Sequence, residues 1–498
     1  MTEKPEYVAS VWPYEMHFAI SAEVTAEHLF RRLDRAFDPK ILLIAIPFGE
    51  NPDTRTHLIQ RDTRLDEDLF QDILPDALAI SDEHPDRVYH SDARLQGQHD
   101  ETILRRSIAE AVNNRLASVA SDEVVCFCSV PADVLGFQGV YLVSVILLLQ
   151  RVAFERHHAL IRDRVDERYH VVRSLQHGTV QVYLRGCTIG LSEPNPGHST
   201  QSLRRPGEEL LRESAKELIG RIAFEAGGIN GVHFLIEWCN TISTLRYEGS
   251  VGRGSLIVAE KNHPHVEVLV RLAEPIALSN VVAARKLLQT TSAHVSLVSD
   301  SESIYGLGRV TEGYGETAED LFTIVFLSQH EWQLQHGQKP LMVMRYGTPQ
   351  LPQSRLDKQT FVETVDRVFP ALPQVDVEVL WTATEAALTQ EHGTMLVVAA
   401  NAREEAARLR SQGMPILPVQ LSPETFRLLT GIDGALLLDP LGTCHAVGVI
   451  LDGRASDRGD PSRGARYNSA VRYVESNSEP VLAIVVSEDG RVDVVSRV

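Results

Sequence analysis

The sequence predicts a multidomain α/β protein, and three observations carry that expectation. At 498 residues the chain exceeds what one hydrophobic core serves, so roughly two to four domains are expected. Ile41-Leu42-Leu43-Ile44-Ala45-Ile46 is a continuous apolar run, the pattern of a strand covered on both faces. From Glu101 to Leu116, in contrast, Ile103, Leu104, Ile108, Val112 and Leu116 recur at helical spacing. Residues 1 to about 155 read as alternating strands and helices of this kind.

Taken in order, Val124–Cys128 reads as a short strand. Val134 to Leu149 is almost wholly apolar, interrupted by Gln138 and Ser144. It is shorter than the roughly 20 residues a membrane-spanning helix needs, so a helix buried in a domain core is expected. Residues Leu191 to Pro206, rich in Ser, Pro, Asn and Gly, form the clearest loop of the middle region. Glu208 to Phe224 reads as a helix, and Gly227-Gly228-Ile229-Asn230-Gly231 breaks the chain before an expected strand. A second loop, Gly347 to Arg355, carries Pro349 and Pro352 and sets the last domain boundary. The modules expected are 1–155, an N-terminal α/β module; 156–350, a middle sensor-like domain; and 356–498.

The C-terminal module reads coherently. Phe361–Phe369, Val379–Gln390 and Ala402–Gln412 are helical, and Met395–Ala400 and Ile416–Val419 are strands. Ser422 caps a helix over Pro423–Leu429 with proline at its first position, and Gly431 ends it. Ala435–Leu438 and His445–Leu451 form a hairpin, and Val481–Ser487 pairs with Arg491–Val495 around Glu488-Asp489-Gly490.

Charge and cysteine content exclude some roles. The net charge is −19, from 67 acidic against 48 basic side chains, which argues against nonspecific binding of nucleic acid or anionic membrane. Five cysteines without framework spacing read as reduced thiols of a cytoplasmic protein. The polar opening Met1 to Glu6 is not a signal peptide. His157-His158 and His263-Pro264-His265 read as surface or core histidines, and Arg458-Gly459-Asp460 as loop chemistry.

An acidic chain that binds an anion needs a local basic patch. Arg454, Arg458, Arg463, Arg466 and Arg472 crowd one segment, with glycines between them. The bland reading pairs them with Asp452, Asp457 and Asp460; the interleaved glycines favour phosphate binding. Upstream, Asp433-Gly434-Ala435 puts a carboxylate at the edge of an apolar strand. Such an acid can hold a divalent cation or orient a sugar hydroxyl, or can serve as a turn residue.

A faint internal repeat is also visible. Gly254–Ala259 resembles Gly393–Val398, Pro275–Ser279 resembles Pro418–Ser422, and Gly308 parallels Gly448. Opposite Asp433-Gly434-Ala435 the earlier copy has Ser292, Ala293 and His294 or their neighbours. Chance similarity of two strand-helix-strand units is the other reading.

The ordered set Gly393–Val398, Asp433-Gly434-Ala435, Gly464-Ala465-Arg466-Tyr467-Asn468-Ser469-Ala470 and Val485-Val486-Ser487-Glu488 resembles the diadenylate cyclase domain, the catalytic part also found in DNA-integrity scanning proteins. The resemblance covers about the last 140 residues. It implies a mixed β-sheet flanked by helices, preceded in this chain by a possible degenerate copy of the same fold. The activity it implies is condensation of two ATP into cyclic di-AMP with release of pyrophosphate. It implies Mg²⁺ or Mn²⁺ and a homodimer or larger homo-oligomer with facing sites; no DNA or membrane partner is expected, since the DNA-binding region and the spanning helices found beside this module elsewhere in the family are not seen here. On that resemblance Asp433 and Arg466 are catalytic, and Gly434, Ala435, Gly464, Ala465, Tyr467, Asn468 and Arg463 border the nucleotide. Asp433 and Glu488 are the metal ligands it implies. The family loop reads Gly-Thr-Arg-His-Arg, whereas here Ala465, Tyr467 and Asn468 replace the Thr, His and second Arg. The alternative reading is a weak or inactive nucleotide-binding pseudo-cyclase. The module is expected to close the chain, with no DNA-binding helical region after it, and residues 1–350 to sense a soluble signal.

Overall fold

The continuous apolar runs of the sequence become the central strands of three sheets. The computed structural model describes residues 10–48, 55–59, 65, 67–119, 123–136, 139–165, 169–198, 200–228, 231–247, 252–292, 294–315, 317–352, 356, 358–370, 372–388, 390, 393–454, 464–487 and 492–497. They fall into two compact units, Met1–Pro352 and Gln353–Val498.

In the first unit β1 (Lys40–Phe48), β2 (His57–Ile59), β3 (Val124–Cys128), β4 (Ala132–Gly136) and β5 (Gly139–Gln150) form an antiparallel sheet. Its order is β2-β1-β5-β3, with β4 also on β5. The unbroken run of β1 follows from burial on both faces: Ile41, Leu43 and Ala45 enter one core, Leu42, Ile44 and Ile46 another. Helices Glu15–Leu33, Leu175–Leu191 and Gly207–Glu225 supply the first core, and Ile73–Asp82 and Ala93–Val119 the second.

Here the structure corrects the sequence reading. The segment Val134 to Leu149 is not a buried helix but parts of two antiparallel strands, β4 and β5. Alternate β5 residues serve opposite cores, Val143, Val145 and Leu147 on one face and Leu142, Ile146 and Leu148 on the other. A segment apolar on both strand faces carries no period to separate strand from helix. The β-branched Val134, Val140, Val143, Val145 and Ile146 were the available signal. Among the described residues no helix is long and apolar enough to cross a membrane.

After a two-stranded ribbon, β6 (Arg164–Val165) with β7 (Tyr169–His170), the break at residues 227–231 leads into helix Gly231–Thr244 and not into the expected strand. A second sheet follows: β8 (Gly254–Ala259), β9 (Val266–Ala277), β10 (Ser296–Ser299), β11 (Ser303–Val310), β12 (Leu321–Ser328), β13 (Glu331–His336), β14 (Lys339–Arg345) and β15 (Thr348–Gln350). Its order is β15-β14-β13-β12-β8-β10-β11-β9, so the Gly347–Arg355 loop contains one short strand.

The second unit has β16 (Thr394–Ala399), β17 (Met414–Gln420), β18 (Ala435–Leu438), β19 (Thr443–Val449), β20 (Val481–Val486) and β21 (Val492–Ser496), ordered β17-β19-β18-β16-β20-β21. Only β16 and β18 run parallel, which makes the sheet mixed. Helices Lys358–Val368, Gln374–Leu388 and Pro423–Leu429 cover one face through Leu396, Val398, Leu436 and Ile484. Helices Ala402–Arg408 and Ala465–Ser476 cover the other through Met395, Val397, Ala435 and Leu437. Pro415 and Pro418 sit in β17, at the sheet edge, where a missing N–H does least harm. Ser422 caps the Pro423–Leu429 helix by accepting from the Thr425 N–H, as its sequence position predicts.

Charged groups in the first unit are paired over long sequence distances. His157 Nε2 lies 2.8 Å from Asp34 Oδ2, and Arg156 donates to the same oxygen. His263, which is buried, lies with Nε2 3.3 Å from Asp320 Oδ1. Burial would raise the Asp34 carboxyl, but hydrogen bonds from His157, the Ala36 N–H and Arg156 outweigh it and hold it at about 2. A carboxyl lowered by folding stabilises above its unfolded value, and that contribution is lost as pH falls through the folded value. Asp34→Asn should therefore cost about 2 kcal/mol near neutral pH. The gap to the parent should close as pH falls from about 4 to about 2, read by denaturant titration across pH.

Candidate nucleotide site

Asp433 lies in the turn between helix Pro423–Leu429 and β18, at the N-terminal edge of the parallel pair. Its backbone is fixed by the residue that follows. Gly434 has φ +101, and a Cβ there would stand 2.5 Å from the carbonyl carbon of Gly448 on β19. Gly448 is itself left-handed at φ +63. Two glycines on neighbouring strands thus let the backbones touch, and Asp433 emerges from that contact into solvent with its side chain 90% exposed.

Across 33 residues of sequence, Arg466 Nη2 donates to Asp433 Oδ1 at 2.9 Å. Arg466 belongs to the first turn of helix Ala465–Ser476, whose cap is Gly464. The Arg466 hydrogen bond, the Gly434 backbone N–H and the guanidinium charge hold the Asp433 carboxyl below its ordinary value. Asp433 is therefore an ionised, solvent-facing oxygen donor. That chemistry suits a hard divalent cation, which commonly takes one or two carboxylates and completes its shell with phosphate oxygens and water.

Among the described residues Gly464 has open space beside it: a Cβ there would meet none of their heavy atoms within 4 Å. The helix N-terminus and the Arg466 guanidinium thus adjoin a free approach of the kind that accepts a phosphate. Ala465 is exposed beside it. Ala435, in contrast, is fully buried as the first residue of β18. Tyr467 is half-buried and packs on the core of Met395 and Val397. The Asn468 side-chain amide donates to the Gly464 carbonyl at 3.2 Å. Arg463, Arg458 and Glu488 lie outside the described residues, as do Asp457 and Asp460.

The network that supports this site is not visible in the sequence. Arg408 donates through Nη1 and Nη2 to Asp452 at 2.7 and 2.8 Å, and through Nη2 to Glu405 at 2.7 Å. Glu405 also accepts from the buried Tyr473 hydroxyl at 2.8 Å. The network ties helix Ala402–Arg408 to helix Ala465–Ser476 and to the start of the arginine-rich loop. Asp452, one of the acids that the bland reading pairs with the loop arginines, is engaged by Arg408, which lowers its carboxyl. Burial and the Glu405 carboxylate raise the Tyr473 hydroxyl. The available signal was the i,i+3 spacing of Glu405 and Arg408.

Residues 381–497 match the family model DAC, described as DisA bacterial checkpoint controller nucleotide-binding. The C-terminal unit is a DAC domain. Residues 11–219 match the probable sensor domain DACNG and residues 233–338 the probable sensor domain DACNH, so the DAC domain follows two sensor-type domains. Similar solved structures include a double-mutant DacA from Staphylococcus aureus, 17% identical over 25% of this chain and 85% of that one, with a TM-score of 0.22. A hypothetical membrane spanning protein from Bacillus cereus is 20% identical over 28% and 68%, with a TM-score of 0.23. No curated protein matches the chain. Among the described residues, no group of three or more His, Cys, Asp or Glu side chains is placed to hold a metal ion.

The two site glycines should separate by experiment. Gly434→Ala meets backbone in a strained conformation and should destabilise the DAC domain by roughly 2 kcal/mol or more. Gly464→Ala enters open space and should stay within about 1 kcal/mol of the parent, both read by chemical denaturation.

Proposed function

We propose that the chain is a diadenylate cyclase whose DAC domain condenses two ATP into cyclic di-AMP under the control of its sensor domains. The observation that carries this reading is the pairing of Asp433 with Arg466 at the edge of the parallel strands. It places an ionised acid and a cation beside an open helix N-terminus, on a domain whose family binds nucleotide.

The reaction makes two phosphodiester bonds. The 3′-oxygen of one ATP attacks the α-phosphorus of the other, and the bond to the β-phosphate oxygen breaks. Pyrophosphate leaves, and the 3′-hydroxyl proton is lost. Repetition in the opposite sense closes the ring, so two ATP give one cyclic di-AMP and two pyrophosphates. The work is mainly alignment and charge neutralisation. Asp433 accepts a hydrogen bond from the ribose hydroxyl or ligates the cation. Arg466 exchanges its carboxylate partner for phosphate oxygens, as a planar guanidinium is suited to do. The backbone at Gly434 and Gly464 admits the nucleotide closely. Mg²⁺ or Mn²⁺, held by an Asp433 oxygen and the triphosphate, would supply further neutralisation of the departing pyrophosphate. One nucleotide per site and two attacks in opposite senses require two DAC domains face to face, hence a homodimer or larger assembly.

Asp433→Asn keeps the shape and removes the charge. Turnover of ATP should fall by about 100-fold or more while thermal unfolding stays within a few degrees of the parent. Undiminished turnover in a folded variant would overturn the assignment of Asp433.

A further inference from the structure

The second sheet of the first unit repeats the DAC sheet strand for strand. The orders β9-β11-β10-β8-β12-β13 and β17-β19-β18-β16-β20-β21 correspond, with one parallel pair in the same place. The registers correspond too. Leu256 faces Leu297 and Ile324, as Leu396 faces Leu436 and Ile484. Both copies carry a helix before the second parallel strand. Val281–Leu288 packs Ala284 and Leu288 into the core of Leu256 and Val258, and Pro423–Leu429 packs Phe426 into that of Leu396 and Val398. Parallel crossovers take one hand, so these helices mark equivalent faces. His294, three residues before Leu297, then occupies the position of Asp433, three before Leu436.

The copies differ on the opposite face. In the DAC domain that face lies under helices Ala402–Arg408 and Ala465–Ser476. In the first unit the corresponding connections, 260–265 and the described part of 311–320, contain no helix. A cleft of about 890 Å³ opens on that face, within the range of small-ligand sites. Ile257 and Val325 give it an apolar floor. The Ser255 and Ser296 hydroxyls, 2.7 Å apart, stand at the N-terminal edge of β8 and β10.

The charged rim is balanced. Arg253 and Arg309 are matched by Glu267 and Glu312, and Arg309 donates to Glu267 at 2.7 Å in an exposed pair that a phosphate can displace at little cost. A rim without net positive charge neutralises a triphosphate poorly and suits a ligand with one negative charge per phosphate better. At the position of the Asp433 carboxylate this copy carries the His294 imidazole, a poor ligand for a hard divalent cation, and of the rim acids Glu267 is already engaged by Arg309.

We propose that this cleft of the DACNH domain is a second nucleotide site, which binds the cyclic dinucleotide made by the DAC domain without metal and without turnover. The ligand class rests on the cyclase reading of the DAC domain; the cleft and its correspondence to the DAC sheet do not. The site would give the protein a direct measure of its own product.

The test is photolabelling of the full chain with 8-azido cyclic di-AMP and, separately, 8-azido ATP, in the presence of EDTA, with labelled peptides mapped by mass spectrometry. Cyclic di-AMP should label peptides within 252–325, and ATP should label them at least tenfold less. Thr323→Phe, which fills the cleft, and His294→Ala, which keeps it open, should each reduce that labelling at least fivefold. Cyclic di-AMP labelling confined to residues 393–470 would overturn the second site and leave the cyclase reading standing. Labelling of the cleft alone would support the site, and, with the cation chelated, would leave the cyclase reading to the turnover of ATP. Absence of label from the cleft would overturn the site, as would cleft labelling that neither substitution alters.

Discussion

The DAC domain depends on one in-register pairing, the parallel alignment of β16 with β18. It sets Met395 beside Ala435 and Leu396 beside Leu436, so alternate residues of both strands face two separate helical layers. It also places the turn that carries Asp433 at the sheet edge. There the Gly434 and Gly448 backbones come too close for any side chain. A one-residue slip would exchange the two cores and turn the acid away from Arg466. Chemistry at this edge is therefore fixed by packing well behind it.

That dependence explains which parts of the site could be read from sequence. Asp433, Gly434, Gly464 and Arg466 stand in short ordered motifs, and the strands that present them are short apolar runs with clear turn signals. The helix cap at Ser422 and Pro423 is equally local. The support under the site is not local. Tyr473 reaches Glu405 across 68 residues and Arg408 reaches Asp452 across 44, contacts that exist only once both helices are on the same face. Tyr467 was open to a role against a base; in the fold its ring half-enters the core beside Met395 and Val397.

The first unit was harder to read for a related reason. Where a strand is buried on both faces, as in β5, side-chain hydrophobicity is uniform and the alternation that separates strand from helix disappears. The acidic partners of His157 and His263 are likewise 123 residues away at Asp34 and 57 away at Asp320. The weak repeat, by contrast, is better expressed in topology than in sequence. Strand order, pairing sense and register agree between the two sheets although few side chains do. The face of Leu256 and of Leu396 holds apolar core in both sheets, whereas among the described residues the opposite face carries helices only in the DAC domain. The two sheets thus differ most on the face and edge where the Asp433–Arg466 pair stands in the DAC domain.

The measurement that bears most directly on the account is incubation of the purified chain with ATP and Mg²⁺ or Mn²⁺, with products identified by mass spectrometry. The account predicts cyclic di-AMP, accompanied by two pyrophosphates for each molecule formed. ATP that binds at the DAC domain but is recovered unchanged, across a range of protein concentrations that populates the dimer, would contradict it.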